Sequence, residues 1–144
     1  DRAVRQALAE VGLPVAGYTL CLMGCDDARM AELNGSFRGK AKPTNVLSWP
    51  SEDRAAGKPG GPPQPTVAGT ANAPTELGDL AIGYETCMAE AADQQKSATD
   101  HVIHLIVHGA LHLLGYDHLH ADDARLMESL EVRILAPLGI SDPY

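Results

Sequence analysis

His108-Gly109-Ala110-Leu111-His112-Leu113-Leu114-Gly115-Tyr116-Asp117-His118 brings three imidazoles within reach of one point. In a helix, His108 and His112 stand at i and i+4, so both side chains leave one face a single turn apart, a spacing that suits two ligands of a divalent metal. Gly115 lets the backbone turn out of the helix, and three residues later His118 swings back toward the same point. The stretch therefore predicts a helix that ends at a metal site.

Neighbouring histidines widen the choice of ligands. At about 100° per residue, His101, His104, His108 and His112 fall within roughly 80° of helix surface. Ile103, Ile106, Val107, Ala110 and Leu114 take the opposite side. Spacing alone also admits His104 with His108. The pair His108 and His112 is preferred because it lies nearest the Gly115 turn that returns His118. His104 is then expected to pack behind the ligands, and His101, near the helix start, to be solvated. Written H-x-x-x-H-x-x-G-x-x-H, the spacing resembles that of the metzincin zinc proteases, with Gly109 where those enzymes carry their glutamate general base. Peptide hydrolysis loses its usual base at that position.

The rest of the composition sets the scale of the fold. With 144 residues, 44% of them hydrophobic, the chain is the size of one compact domain with a core of its own. One Phe and one Trp make that core aliphatic and rich in alanine. No apolar run approaches the roughly 18 residues of a membrane span and no signal peptide is visible, so a cytoplasmic chain with no membrane partner is expected. Cys21, Cys25 and Cys87 are an odd number without framework spacing, as reduced thiols would be. Cys21 and Cys25 form a pair with no second pair and read as packing residues. A net charge of −8 argues against general coating of nucleic acid, which needs a positive field over much of the surface. The cluster Arg38, Lys40 and Lys42, ending at Pro43, leaves room for a local contact.

Val4, Leu8 and Val11 at i, i+4 and i+7 predict a first amphipathic helix closed by Gly12 and Pro14. Tyr18 to Met23 reads as a strand, and Asp26 as the N-cap of a short helix that stops at Asn34-Gly35. Val46 to Trp49 reads as a second strand and Leu77 to Gly83 as a third. Between them, residues 51–75 shift to Gly, Pro, Ala and Thr without hydrophobic period; a flexible, disordered insertion within one domain is expected, with a substrate-contacting lid as the alternative. Glu85 to about Gln95 reads as helix. Ser97-x-x-Asp100 has the form of a capping box that starts the metal-bearing helix, which should be buried nearly all round. A last helix starts near Asp122, turns Leu126, Met127, Leu130 and Ile134 inward, and ends before Pro137. The expected fold class is α+β: a small mixed sheet packed against a central helix that carries a zincin-like metal site.

Three ordered motifs also resemble those of one family. His104 to His118 is similar to the signature of the YbeY family, bacterial metal-dependent endoribonucleases of ribosomal RNA maturation. Leu33-Asn34, Phe37-Arg38-Gly39-Lys40 and Lys42-Pro43-Thr44-Asn45-Val46-Leu47-Ser48-Trp49-Pro50 resemble a second motif of that family, and Leu77-Gly78-Asp79-Leu80 its Gly-Asp strand. The resemblance runs from about Tyr18 to Leu135. Trp49 stands where Phe is more usual, and the 51–75 insertion is longer and richer in Gly and Pro than the family pattern.

The resemblance implies that His108, His112 and His118 hold one zinc ion, with a fourth position open to water or a phosphate oxygen. It implies that Arg38 is the active-site arginine across the cleft, so that the catalytic set is Arg38, His108, His112 and His118. The implied activity is single-strand-specific cleavage of ribosomal RNA, in 16S 3′-end processing and ribosome quality control. Ribosomal RNA, small-subunit proteins and an assembly GTPase are the implied partners. Two other readings remain: an assembly factor whose metal is mainly structural, and a metal-dependent hydrolase of another substrate. Asp117 could orient a histidine or cap the turn after Gly115. Ser48 and Thr44 could bond phosphate or only complete strand ends.

Overall fold

The computed structural model describes residues 2–144, with Phe37 described for its backbone only. In chain order it holds α1 (Arg2–Glu10), β1 (Tyr18–Cys25), α2 (Asp27–Arg38), β2 (Val46–Pro50), β3 (Thr75–Gly83), α3 (Tyr84–Asp93), α4 (Ala98–Leu113) and α5 (Ala121–Leu135), followed by a 3-10 turn at Ala136–Leu138. This is the expected single α+β domain. No helix among the described residues is long and apolar enough to cross a membrane.

The sheet is mixed and small, in the order β1-β3-β2. β3 sits in the middle, parallel to β1 with Tyr18 opposite Thr75, and antiparallel to β2 with Val46 opposite Ile82. Its Leu77, Leu80, Ala81 and Ile82 are buried, as befits a strand paired on both edges.

Helix α4 is the centre of the domain. Ser97 caps it, its hydroxyl accepting the Asp100 N–H at 3.0 Å, as the sequence predicts. On one side Leu113 and Leu114 pack with Leu8, Leu77 and Leu80. On another, Val107 and Leu111 pack with Ala3 and Ala7 of α1 and with Met127, Leu130 and Ile134 of α5. No residue from His101 to Asp117 is exposed, so the helix is buried all round. Gly109 is where α4 lies flush on the sheet, since a Cβ there would come 2.7 Å from Leu80 Cδ2. The residue that removes the protease glutamate thus also brings helix and strand together.

Two expectations are corrected. Asp26 caps α2 by accepting the Arg29 N–H at 2.8 Å, but the helix runs through Asn34-Gly35 to Arg38 and ends in the left-handed Gly39, φ 70°. A glycine inside a helix costs about 0.5–1 kcal/mol. Here buried Asn34 offsets it by donating to the Lys42 carbonyl at 3.0 Å, which ties the returning chain to the helix. Arg38 therefore belongs to a helix end and not to a loop. Between β2 and β3 there is no helix or strand, as expected, yet the segment is tied to the fold: the Gly60 N–H donates to Asp123 at 2.7 Å, the Gly69 N–H to the Gly17 carbonyl at 2.9 Å, and a buried arginine anchors its start. Arg54 is 4% exposed and donates to the Leu113 carbonyl at the end of α4 (3.0 Å) and to Ser51 Oγ (3.0 Å). Composition could not show the Arg54 contact, because it is a cation seeking the carbonyls that a helix end leaves without partners.

Candidate metal centre

His108 and His112 leave α4 one turn apart, and their Nε2 atoms lie 3.2 Å from each other. After α4 the chain passes through Gly115 at φ 107°, and a Cβ there would lie 2.3 Å from the Arg54 carbonyl oxygen, so a side chain has neither the backbone angle nor the space. This turn returns His118, whose ring centroid is 5.5 Å from that of His108 and 5.1 Å from that of His112. Each of the three offers one ring nitrogen, and these nitrogens all lie within 4.8 Å of one another. The spacing read from the sequence is therefore realised, with His104 outside the group.

The donor set fits a metal ion. His108 Nδ1 lies 2.5 Å from Glu131 Oε1, and His112 Nδ1 lies 2.9 Å from the Tyr116 carbonyl oxygen. Both partners accept hydrogen bonds, so in its neutral form either ring carries its proton on Nδ1 and presents a lone pair at Nε2. Two lone pairs at 3.2 Å repel unless a proton or cation lies between them. Ligand nitrogens about 2.0–2.1 Å from a tetrahedral zinc stand about 3.3 Å apart, close to the separation seen here.

Burial, with the neighbouring charges of His108 and His118, lowers the pKa of His112 from 6.5 to about 4, against a smaller opposing pull from Asp117 and the Tyr116 carbonyl. The ring is thus neutral at neutral pH, the form a metal needs. A stability change follows. Unfolding frees His112 to take a proton at its ordinary pKa, so between about 6.5 and 4 the unfolded chain binds more protons and the metal-free fold loses stability as pH falls. Urea midpoints of chelator-treated protein should drop across that window, and His112→Ala should remove most of the drop; an equal drop in the variant would sink the assignment.

Glu131 is the site residue that sequence reasoning missed. It lies on α5, is 0% exposed, and besides His108 it accepts the Tyr144 O–H, with His104 Nε2 3.6 Å away. Burial alone would raise its carboxyl, but the facing polar hydrogens of His104, His108 and Tyr144 outweigh burial and bring it down to about 2. A signal was present: position 131 stands four residues after Met127 on the inward stripe, where a charge is out of place unless it meets a partner.

Other expectations divide. His104 packs behind the ligands, as read. His101 is not solvated: it is 4% exposed and its Nε2 lies 3.0 Å from Glu90 Oε1, because α3 packs over the first turns of α4. Asp117 accepts the backbone N–H of His118 at 2.8 Å and lies 4.0 Å from His112 Nδ1, so it fixes the turn without bonding that imidazole. Cys25 and Cys87 are buried and Cys21 is exposed, and none joins the metal-capable group. Asp79 is exposed on β3.

The three histidines open onto a groove of about 730 Å³ that Arg38, Lys40, Lys42, Thr44 and Ser48 also line. Arg38 is exposed at the end of α2. The groove thus holds guanidinium, ammonium and hydroxyl groups suited to phosphate oxygens together with the three imidazoles, and Glu52, Asp53, Glu90 and Asp117 line it as well.

A family model described as Endoribonuclease YbeY matches residues 1–139. A protein of that name from Cereibacter sphaeroides is 60% identical over 99% of this chain and 86% of its own length. One from Ruegeria pomeroyi is 56% identical over 100% and 87%, and one from Paramagnetospirillum magneticum 49% over 96% and 78%. The solution structure of a Thermotoga maritima protein shares the fold, with a TM-score of 0.51 at 18% identity, over 99% of this chain and 85% of that one. On the family match and these identities, the chain belongs to the endoribonuclease YbeY family.

Proposed function

We propose that this chain is a zinc-dependent endoribonuclease that cuts single-stranded ribosomal RNA during maturation, including the 3′ end of 16S RNA, and in ribosome quality control. One observation carries the reading: three imidazoles, two of them with Nε2 atoms 3.2 Å apart, share a groove with Arg38, in a chain of this family. His108, His112 and His118 would hold one zinc ion. When bound, the metal supplies Lewis-acid activation at the scissile phosphate.

The remaining work falls to the chain itself. Arg38 reaches across the groove to phosphate oxygens and offsets charge that develops on them as the bond breaks. Lys40 and Lys42 attract the RNA backbone locally within an acidic protein. Tyr116 and Glu131 fix the His112 and His108 rings, so that both Nε2 atoms face the groove before substrate arrives. Gly109 leaves no carboxylate in the position from which metzincins activate water for peptide cleavage. Residues 1–144 act as one domain, with 51–75 as an insertion on the groove's rim. The acidic remainder of the surface suits basic small-subunit proteins in the cytoplasm, beside an assembly GTPase.

The test compares wild type with Arg38→Glu on a single-stranded ribosomal RNA fragment, with bound metal measured in both. Arg38→Glu is expected to keep its metal and fold while losing cleavage by roughly 10²–10³-fold, the scale of losing one group that stabilises transition-state charge. Cleavage equal to wild type would contradict the catalytic role of Arg38. A parallel casein digestion is expected to show no proteolysis.

A further inference from the structure

Glu131 has no packing reason to be a carboxylate. It stands on the inward face of α5 among Met127, Leu130 and Ile134, where an apolar side chain would fill the same space, and it is wholly buried. A buried carboxylate is costly unless every oxygen finds donors. Here both oxygens do: Oε1 accepts His108 Nδ1–H at 2.5 Å and Oε2 accepts the Tyr144 O–H. Tyr144 reaches it from beyond the 3-10 turn, with its ring 5.7 Å from that of His104 and nearly perpendicular to it. The two contacts join three parts of the chain, α4, α5 and the segment after α5, at the ring nitrogen of His108 that faces away from the groove.

We propose that Glu131 and Tyr144 are positioning residues for His108: the carboxylate holds the ring with Nε2 toward the groove, and the Tyr144 hydroxyl clamps the carboxylate in that orientation. The inference rests on the metal-site reading above. The ring on the opposite side, His112, is served by a backbone carbonyl that no substitution can remove. Of the two rings on α4, His108 is the one whose Nδ1 is held by a side chain. Partners of this kind keep the ligand's tautomer and angle set in advance, and their loss weakens metal binding about 10–100-fold. The segment after α5 therefore belongs to the metal centre although Tyr144 touches no ligand itself.

The test is a competition titration with zinc and a chromophoric chelator on wild type, Glu131→Leu, Glu131→Gln, Tyr144→Phe and His112→Ala, with the cobalt(II) spectrum and the thermal midpoint of the metal-free protein recorded for each. Glu131→Leu, which fills the space without an acceptor, is expected to lose zinc affinity about 10–100-fold while its metal-free midpoint stays at or above that of wild type. Glu131→Gln keeps an acceptor for Nδ1–H and should stay within a few-fold of wild type, and Tyr144→Phe should fall between them with a shifted cobalt spectrum. A role confined to packing reverses the order, with Leu harmless and Gln unstable, and overturns the proposal. Should Glu131→Leu fail to fold, Tyr144→Phe decides alone, because it leaves the core intact: unchanged affinity and spectrum overturn the clamp. Equal zinc affinity in wild type and His112→Ala would overturn the metal-site reading itself, an outcome separate from failure of the positioning role.

Discussion

His112→Ala is expected to hold less than about a tenth of the wild-type zinc and to cleave RNA roughly a thousandfold more slowly, since metal stabilisation of developing charge is worth several kcal/mol and each ~1.4 kcal/mol is tenfold in rate. Its ring is held by the Tyr116 carbonyl and is kept neutral by burial, so its Nε2 meets His108 Nε2 at 3.2 Å. Alanine removes that nitrogen and leaves two imidazoles, too few to retain zinc against dilution. Folding should suffer little, since what is lost is one hydrogen bond to a carbonyl near a turn, about 1 kcal/mol. Elemental analysis, single-turnover cleavage and urea unfolding of one preparation check all three parts. Full metal content with lost cleavage would make His112 a group that acts on the substrate and not a ligand.

Gly115→Ala should destabilise the fold by about 3 kcal/mol or more, among the largest costs available to a one-methyl substitution here. Alanine at φ 107° is strained by roughly 1–3 kcal/mol. Its Cβ would also meet backbone, 2.3 Å from the Arg54 oxygen and 2.7 Å from the Arg54 carbon, which cannot rotate away as a side-chain tip can. Relief requires moving either the Arg54 anchor or the turn that returns His118, so zinc affinity should fall together with stability. Gly12→Ala is the matched control. Gly12 also has positive φ, 79°, but no atom lies within 4 Å of its Cβ position, so only the backbone term of about 1 kcal/mol is expected. Urea unfolding of the two metal-free variants measures the difference, and equal midpoints would show that the Arg54 contact does not constrain the turn.

Much of this site was legible because its information is local. The i, i+4 pair, the glycine that must turn and the returning His118 all lie within eleven residues, and helix geometry fixes their relation before any tertiary contact is considered. Ser97 and Asp26 were legible as caps for the same reason. What escaped depends on contacts distant in sequence. Glu131 meets His108 across 23 residues, Arg54 meets Leu113 across 59, and His101 is covered by a helix whose placement its own neighbours do not specify. The length of α2 was misread because Asn34-Gly35 is a stop signal in isolation, while burial of Asn34 against the Lys42 carbonyl overrides it.

RNA cleavage is expected to depend on a metal held by His108, His112 and His118. The most direct measurement strips wild type with a chelator, returns one equivalent of zinc, and follows cleavage of a single-stranded ribosomal RNA fragment at each stage, with His112→Ala treated identically. Stripped wild type is expected to be inactive, zinc is expected to restore it, and zinc is not expected to restore the variant. Cleavage by stripped wild type at the untreated rate, or restoration of His112→Ala to that rate, would contradict that dependence.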